Sequence, residues 1–152
     1  MSIVKSAILG LAAAVLYSGA ASAQLEYYED YEVSDAVWNV TTVKVDANMG
    51  DYYLEGLKQT WVAANEVSKK LGHIDDYMIL GSDLPQSGDF NMLLIVKFAE
   101  TEDLAPNKKR YEEFMKAWGD AAVDDSRKTS MELYPKVRTI TGEYLMREVL
   151  MK

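Results

Sequence analysis

Asn91-Met92-Leu93-Leu94-Ile95-Val96-Lys97-Phe98 holds the longest unbroken apolar run of the chain outside its first residues, and β-branched and aromatic side chains are well represented in it. It is bounded by Ser87-Gly88-Asp89 on one side and Ala99-Glu100-Thr101-Glu102 on the other. An apolar run of this length between turn and charge signals reads as a strand buried on both faces. Such a strand lies inside a sheet, so other strands must flank it and another layer must cover it.

Upstream, residues 36–45 (AVWNVTTVKV) read as the first strand, rich in Val and Thr. Val37, Asn39, Thr41, Val43 and Val45 share one face of it; Trp38, Val40, Thr42 and Lys44 share the other. Residues 46–50 make a turn, and Asn48 or Asp51 is the expected N-cap of a helix over 51–71. In that helix Leu54, Leu57, Trp61, Ala64, Val67 and Leu71 recur every three or four positions as one apolar stripe. Gly72 supplies a left-handed stop. Residues 73–81 (HIDDYMILG) read as the second strand, joined to the central one by a loop holding Pro85 and Gly88.

Downstream, Pro106 leads into a second helical region whose apolar face is Tyr111, Phe114, Met115 and Trp118. After a break at Gly119, residues 126–134 continue the helical pattern with Met131 directed to the core, and Pro135 ends it. Residues 138–149 are the last strand, and Gly142 inside it signals a bulge or a close backbone approach. The order strand, helix, strand, strand, helix, strand gives an α+β fold, a four-stranded antiparallel sheet with helices on one face. The other face also carries large apolar side chains, and a second copy of the chain is the economical cover for it.

Residues 1–23 have the pattern of a signal peptide: Lys5, an apolar stretch over 7–17, and Ala21-Ser22-Ala23 before Gln24. The apolar stretch is too short for a stable membrane anchor. The expectation is an exported protein, periplasmic if the source is Gram-negative, with a single domain over 36–152. Residues 24–35 (QLEYYEDYEVSD), with five carboxylates and three tyrosines, read as an exposed N-terminal arm. The chain has no cysteine, so in an oxidising compartment it folds on packing alone. A formal net charge of -8 argues against nucleic acid or anionic lipid as partner.

Few residues stand out chemically. His73 is the single histidine and the residue type suited to carrying protons near neutral pH, but its place directly after a glycine stop equally suits a helix cap. On a strand His73 and Asp75 would share a face and Asp76 would not, which leaves too few ligands for a metal, so none is expected. Asn39 and Thr41 form a polar pair in an apolar row and need hydrogen-bond partners from backbone or ligand. If that row meets the helices, Asn39 faces the interior; in the reversed register Trp38, Thr42 and Lys44 do. Trp61 and Trp118 sit on helical stripes as core candidates, and with Tyr77 and Tyr111 they also suit a pocket for a flat apolar ligand. Lys97 and Arg147 interrupt apolar strands as candidates for inter-subunit ion pairs or anion contacts. Nucleophile elbows, phosphate loops and dinucleotide fingerprints are absent from the sequence.

The element order, the long helix after a short Asn/Gly turn and the apolar third strand resemble the dimeric α+β barrel superfamily, ferredoxin-like proteins that include antibiotic-biosynthesis-monooxygenase-like and haem-degrading members. The stretch Tyr134-Pro135-Lys136-Val137-Arg138 through Gly142-Glu143-Tyr144-Leu145 is similar to that of uncharacterised exported bacterial members. The resemblance implies a homodimer whose sheets close into a barrel, with a pocket between each sheet and its helices. Some members oxidise polycyclic phenols or haem with no metal or flavin of their own, through an Asn on the first strand, a Trp and a His. Asn39 matches the first of these in kind and place, and Trp61 and His73 are the residues available for the others. His73 departs from the pattern by following the first helix instead of lying on the second. Three functions follow as expectations. They are binding of a small aromatic or apolar molecule, cofactor-independent oxygenation by Asn39, His73 and Trp61, and a structural or partner-binding role for the dimer. The ligand-contact candidates are Trp38, Thr41, Tyr77, Tyr111 and Trp118.

Overall fold

The computed structural model describes residues 24–84 and 87–152; the expected signal peptide and Pro85 lie outside them. The elements are β1 (Tyr31–Val33), β2 (Val37–Val45), α1 (Gly50–Leu57), a π turn (Lys58–Val62), α2 (Ala63–Lys70), β3 (Asp76–Gly81) and β4 (Met92–Phe98). A 3-10 turn (Thr101–Leu104) then precedes α3 (Lys108–Trp118), α4 (Asp120–Glu132), α5 (Tyr134–Val137), β5 (Arg138–Met146) and β6 (Val149–Met151). The main sheet is antiparallel in the order β3-β4-β2-β5, a ferredoxin-like arrangement. The apolar run over 91–98 is indeed an inner strand, β4, with Met92, Leu94 and Ile95 buried.

The odd-numbered row of β2 is the one that meets the helices. Val37, Val43 and Val45 are buried there, Val43 facing Met92 across the ladder and Thr41 facing Leu94. Val43, Val45, Met92 and Leu94 join Tyr53 and Leu57 from α1 and Tyr134 and Val137 from α5 in one core cluster. Leu57 is 1% exposed, and removing such a side chain from water contributes roughly 1.5–3 kcal/mol. Tyr53 meets Tyr134 edge-on at 5.4 Å between ring centroids, and the Arg138 guanidinium lies 4.9 Å from the Tyr134 centroid. Asn91 extends the ladder with its side chain: its Oδ1 accepts from the Val45 N–H at 2.7 Å and its Nδ2 donates to the Val45 carbonyl at 2.8 Å.

The long helix is interrupted by the π turn, which periodicity does not reveal. Thr60 there donates to the Gly56 carbonyl at 2.9 Å and pairs with the Tyr134 hydroxyl. An inserted residue of this kind shifts the phase of everything after it, and such turns recur at functional sites. Gly72, at φ 71°, stops the helix as expected, a conformation costly for a residue with a Cβ. The register slips between Thr42 and Val43 opposite β5, which realises the expected bulge beside Gly142. A Cβ at Gly142 would stand 2.7 Å from the Tyr144 hydroxyl, so a side chain at 142 would displace that ring.

Several expectations are corrected. Met49 occupies the N-cap of α1 without a side-chain cap; Asn48 instead takes a positive φ of 65° in the preceding turn. Pro135 does not end a helix but sits in the first turn of α5, where its missing N–H costs nothing. Met131 is 71% exposed, because the inner side of α4 is given by Val123, Ser126 and Thr129. The N-terminal arm is partly structured: β1 pairs antiparallel with β6, and the last strand therefore ends at Met146 and re-forms as β6 to meet it. Lys97 pairs with Asp75 at 2.7 Å within the chain, and Arg147 donates to the Ser34 and Asp35 carbonyls at 2.9 and 2.7 Å and to the Thr101 hydroxyl.

The face of the sheet opposite the helices remains rich in apolar groups. Val40, Ile95, Met78 and Tyr144 lie side by side across the four strands, with Leu93, Leu80 and Met146 beside them. Leu80, Tyr144 and Met146 are about half exposed.

Candidate functional site

A groove of about 500 Å³ opens between the β2–β4 end of the sheet and the helices. Its floor is Asn39 with Val96 and Phe98, all on the helix-facing side because strand side chains alternate. One wall is Trp61, Asn65 and Ser68, spaced four and three residues apart so that they share a helical face. The other wall is Arg110, Tyr111 and Phe114 of α3. His73 and Ile74, from the turn before β3, close one end.

The groove is held open by satisfied polar groups. Arg110 donates to the Asp103 carboxylate at 2.9 Å, to the Asp103 carbonyl at 3.2 Å and to the His73 carbonyl. Asn107 caps α3 by accepting the Arg110 N–H at 3.1 Å, which fixes where the guanidinium begins its reach. The His73 ring does not cap α2. Its Nε2 lies 3.4 Å from Glu113 Oε2 on α3, while the His73 backbone N–H closes the helix end on the Ser68 carbonyl at 2.8 Å. Asn65 donates its side-chain Nδ2 to the Trp61 carbonyl at 2.7 Å, one turn back in the π segment. Cation and carboxylate are matched throughout, so the lining offers hydrogen bonds and aromatic surface without an unpaired charge.

Of the residues singled out in the sequence, Asn39, Trp61, His73 and Tyr111 line this one groove. Tyr77 stands behind it, edge-on to Trp61 at 5.4 Å. Its hydroxyl donates to Glu66, a bond that, with burial, pushes the phenol up to about 12. Thr41 shares the floor's face but pairs with Leu94 and Glu143 further along, outside the lining. Trp38 points to the opposite face of the sheet, where the Lys97 ammonium lies 5.5 Å from its ring, and so is kept from the groove by strand alternation. Trp118 lines a neighbouring cavity of about 440 Å³ whose walls also include Trp61 and Phe114. Asn65, Ser68, Arg110 and Phe114 escaped the sequence reading as site residues. The i, i+4, i+7 spacing of Trp61, Asn65 and Ser68 is the signal that marks two of them.

A larger depression of about 710 Å³ surrounds Arg147 beside the N-terminal arm. Its walls carry Asp35, Glu100 and Glu102, and Arg147 is already engaged by three oxygens. It offers little apolar surface to a ligand. Among the described residues no group of three or more His, Asp or Glu is placed to hold a metal ion, and no helix among them is long and apolar enough to cross a membrane.

No family model matches the chain, and no curated protein matches it. Solved structures with a similar course include protein SO0527 from Shewanella oneidensis, at 10% identity and a TM-score of 0.45 over 80% of this chain and 99% of that one. A dimeric protein of unknown function with a ferredoxin-like fold from Bacteroides fragilis aligns at 14% identity and a TM-score of 0.41, over 76% of this chain and 97% of the other. A dimeric ferredoxin-like protein of unknown function from Thermobifida fusca aligns at 7% identity and a TM-score of 0.37, over 84% and 97%. None of them lends this chain an activity, a ligand or a partner.

Proposed function

We propose that this chain is an exported, periplasmic, homodimeric α+β barrel protein that binds a small aromatic or apolar molecule in the groove between sheet and helices. The observation that carries the reading is the groove itself. Aromatic walls (Trp61, Tyr111, Phe114) converge with a few polar groups (Asn39, Ser68, His73) in a concave space of ligand size. Asn39 is the sharpest of these. Its direct cross-strand partners, Val96 and Leu145, are apolar, and its side chain lines the groove. A ligand would satisfy it.

The dimer is supported by the half-exposed apolar row on the other sheet face, which is costly to leave in water. Native mass spectrometry of the protein purified from its own host tests both parts. A dimer carrying a small-molecule adduct is the expected species; a monomer at micromolar concentration removes the barrel. Titration with 1-naphthol should quench Trp fluorescence saturably, and its failure removes the groove as a binding site.

A cofactor-independent oxygenase is the second reading, favoured by one observation, that Asn39, Trp61 and His73 share a groove. It requires that His73→Ala abolish turnover of a phenolic substrate while the fold is kept. Undiminished turnover in that variant sinks it.

A further inference from the structure

The groove and the cavity beside it have different chemistry. At the first, Asn39, Asn65, Ser68, His73 and Asn107 set polar atoms among the aromatic ones. At the second, the walls are dominated by Trp118, Met115, Ala64, Val123 and the ring of Tyr134. Trp61 and Phe114 line both, so these two rings are the partition between them. Trp61 belongs to the π turn and Phe114 to α3, so the boundary is formed by residues of two different elements. Rotamer changes of such rings open and close a passage without moving a helix.

We infer that the two cavities take one ligand, a neutral amphiphile. Its hydrogen-bonding head would sit at Asn39 and Ser68, and its apolar tail would pass between Trp61 and Phe114 toward Trp118. This rests on the proposed small-molecule reading of the groove and narrows the ligand's class. The head is neutral because Arg110, the cation of the lining, is already paired with Asp103 at 2.9 Å. A carboxylate or ammonium entering there would be desolvated without a counter-charge. The tail is apolar because the polar groups of the second cavity are largely engaged elsewhere: the Thr60 and Tyr134 hydroxyls bond each other and Arg127 pairs with Asp124 at 3.1 Å, leaving Ser126 and Ser130 beside the apolar walls. The two spaces, of about 500 and 440 Å³, share Trp61 and Phe114 in their linings, and an occupant of both must be narrow enough to pass between those two residues, which favours a chain over a compact ring system.

Isothermal titration calorimetry with 1-naphthol and with the 1-alkanols from butanol to octanol tests this. Naphthol reports the groove alone. For the alkanols, each added methylene should tighten binding roughly three- to fourfold if it is buried in the second cavity. Ala64→Trp fills that cavity and should flatten the alkanol series while leaving naphthol within about twofold; Ser126→Trp does the same from the facing helix should the first variant misfold. Asn39→Leu should weaken every alkanol by about fivefold without changing the slope. Octanoate should bind at least about tenfold more weakly than octanol.

Naphthol binding with a flat alkanol series, or a slope that survives both filling variants, overturns the two-chamber ligand and leaves the groove reading standing. Octanoate binding more tightly than octanol overturns the neutral head. No binding by either class removes both readings together.

Discussion

Gly56 lies in the last turn of α1, where the helix runs on into the π turn, and is buried, and replacing it by alanine sets two known effects against each other. In a helix interior alanine is favoured over glycine by about 1 kcal/mol, because glycine loses more backbone freedom on folding. The added Cβ, however, would stand 2.8 Å from Leu133 Cδ2, 3.1 Å from Tyr134 Cε1 and 3.5 Å from Thr129 Cγ2. Carbon atoms rest at about 3.5–4.0 Å, so the first two contacts are repulsive. Leu133 is a half-buried side-chain end that can swing away. Tyr134 cannot: its hydroxyl is tied to Thr60, its ring meets Tyr53 edge-on, and Arg138 lies over its face. Overpacking of this kind costs about 1–3 kcal/mol, which exceeds the helix gain. Gly56→Ala should therefore destabilise by about 1 kcal/mol in urea unfolding followed by circular dichroism. Adding Leu133→Ala should give a favourable coupling of about 0.5–1 kcal/mol in a double-mutant cycle. A Gly56→Ala protein more stable than its parent by the full helix increment would refute the tight seating of α1 against α4 and α5.

Leu57→Ala, at the centre of the same core, should cost about 2–5 kcal/mol by the same assay, because the site is closed on all sides and cannot collapse. Burial pushes the Tyr53 phenol up to about 12 against the nearby Arg138 charge, so the unfolded chain ionises first. Stability should be fully present below pH 10 and fall between pH 10 and 12, with Tyr53→Phe losing roughly 1 kcal/mol less than the parent between pH 9 and 11; equal alkaline losses would contradict this. The Lys69–Asp76 pair, 2.8 Å apart but about half exposed on both sides, should contribute little to stability, and Lys69→Ala should shift the urea midpoint only slightly and less in high salt.

Much of the architecture was legible in the residues. The Val-rich strand, the Gly72 stop, the apolar β4 and the bulge at Gly142 are local signals, each set by side-chain spacing or by a backbone preference within a few positions; the helical stripe was legible only in part, since Leu57 is buried but Leu54 and Leu71 are exposed and Tyr53 and Gly56 face the core instead. Strand alternation likewise showed that Asn39 and Trp38 must part company. It could not say which of them faces the helices, since both rows of β2 carry apolar groups and the choice depends on what packs from elsewhere. That Asn39, Trp61, His73 and Tyr111 share a groove comes from β2, the π turn, the turn before β3 and α3 meeting in space.

The errors have the same origin. Met131 lies at a helical spacing that suits a core, yet α4 turns that side to solvent because its neighbours are α5 and the π turn. The arm was read as solvated from its carboxylates, but Tyr31–Val33 finds its partner in Val149–Met151 at the other end of the chain. The sequence by itself thus determined the elements, their order and the alternation of their faces, because those follow from short-range sterics and periodicity. Tertiary structure alone decided which faces are buried and which side chains converge, because those depend on contacts between segments far apart in the chain.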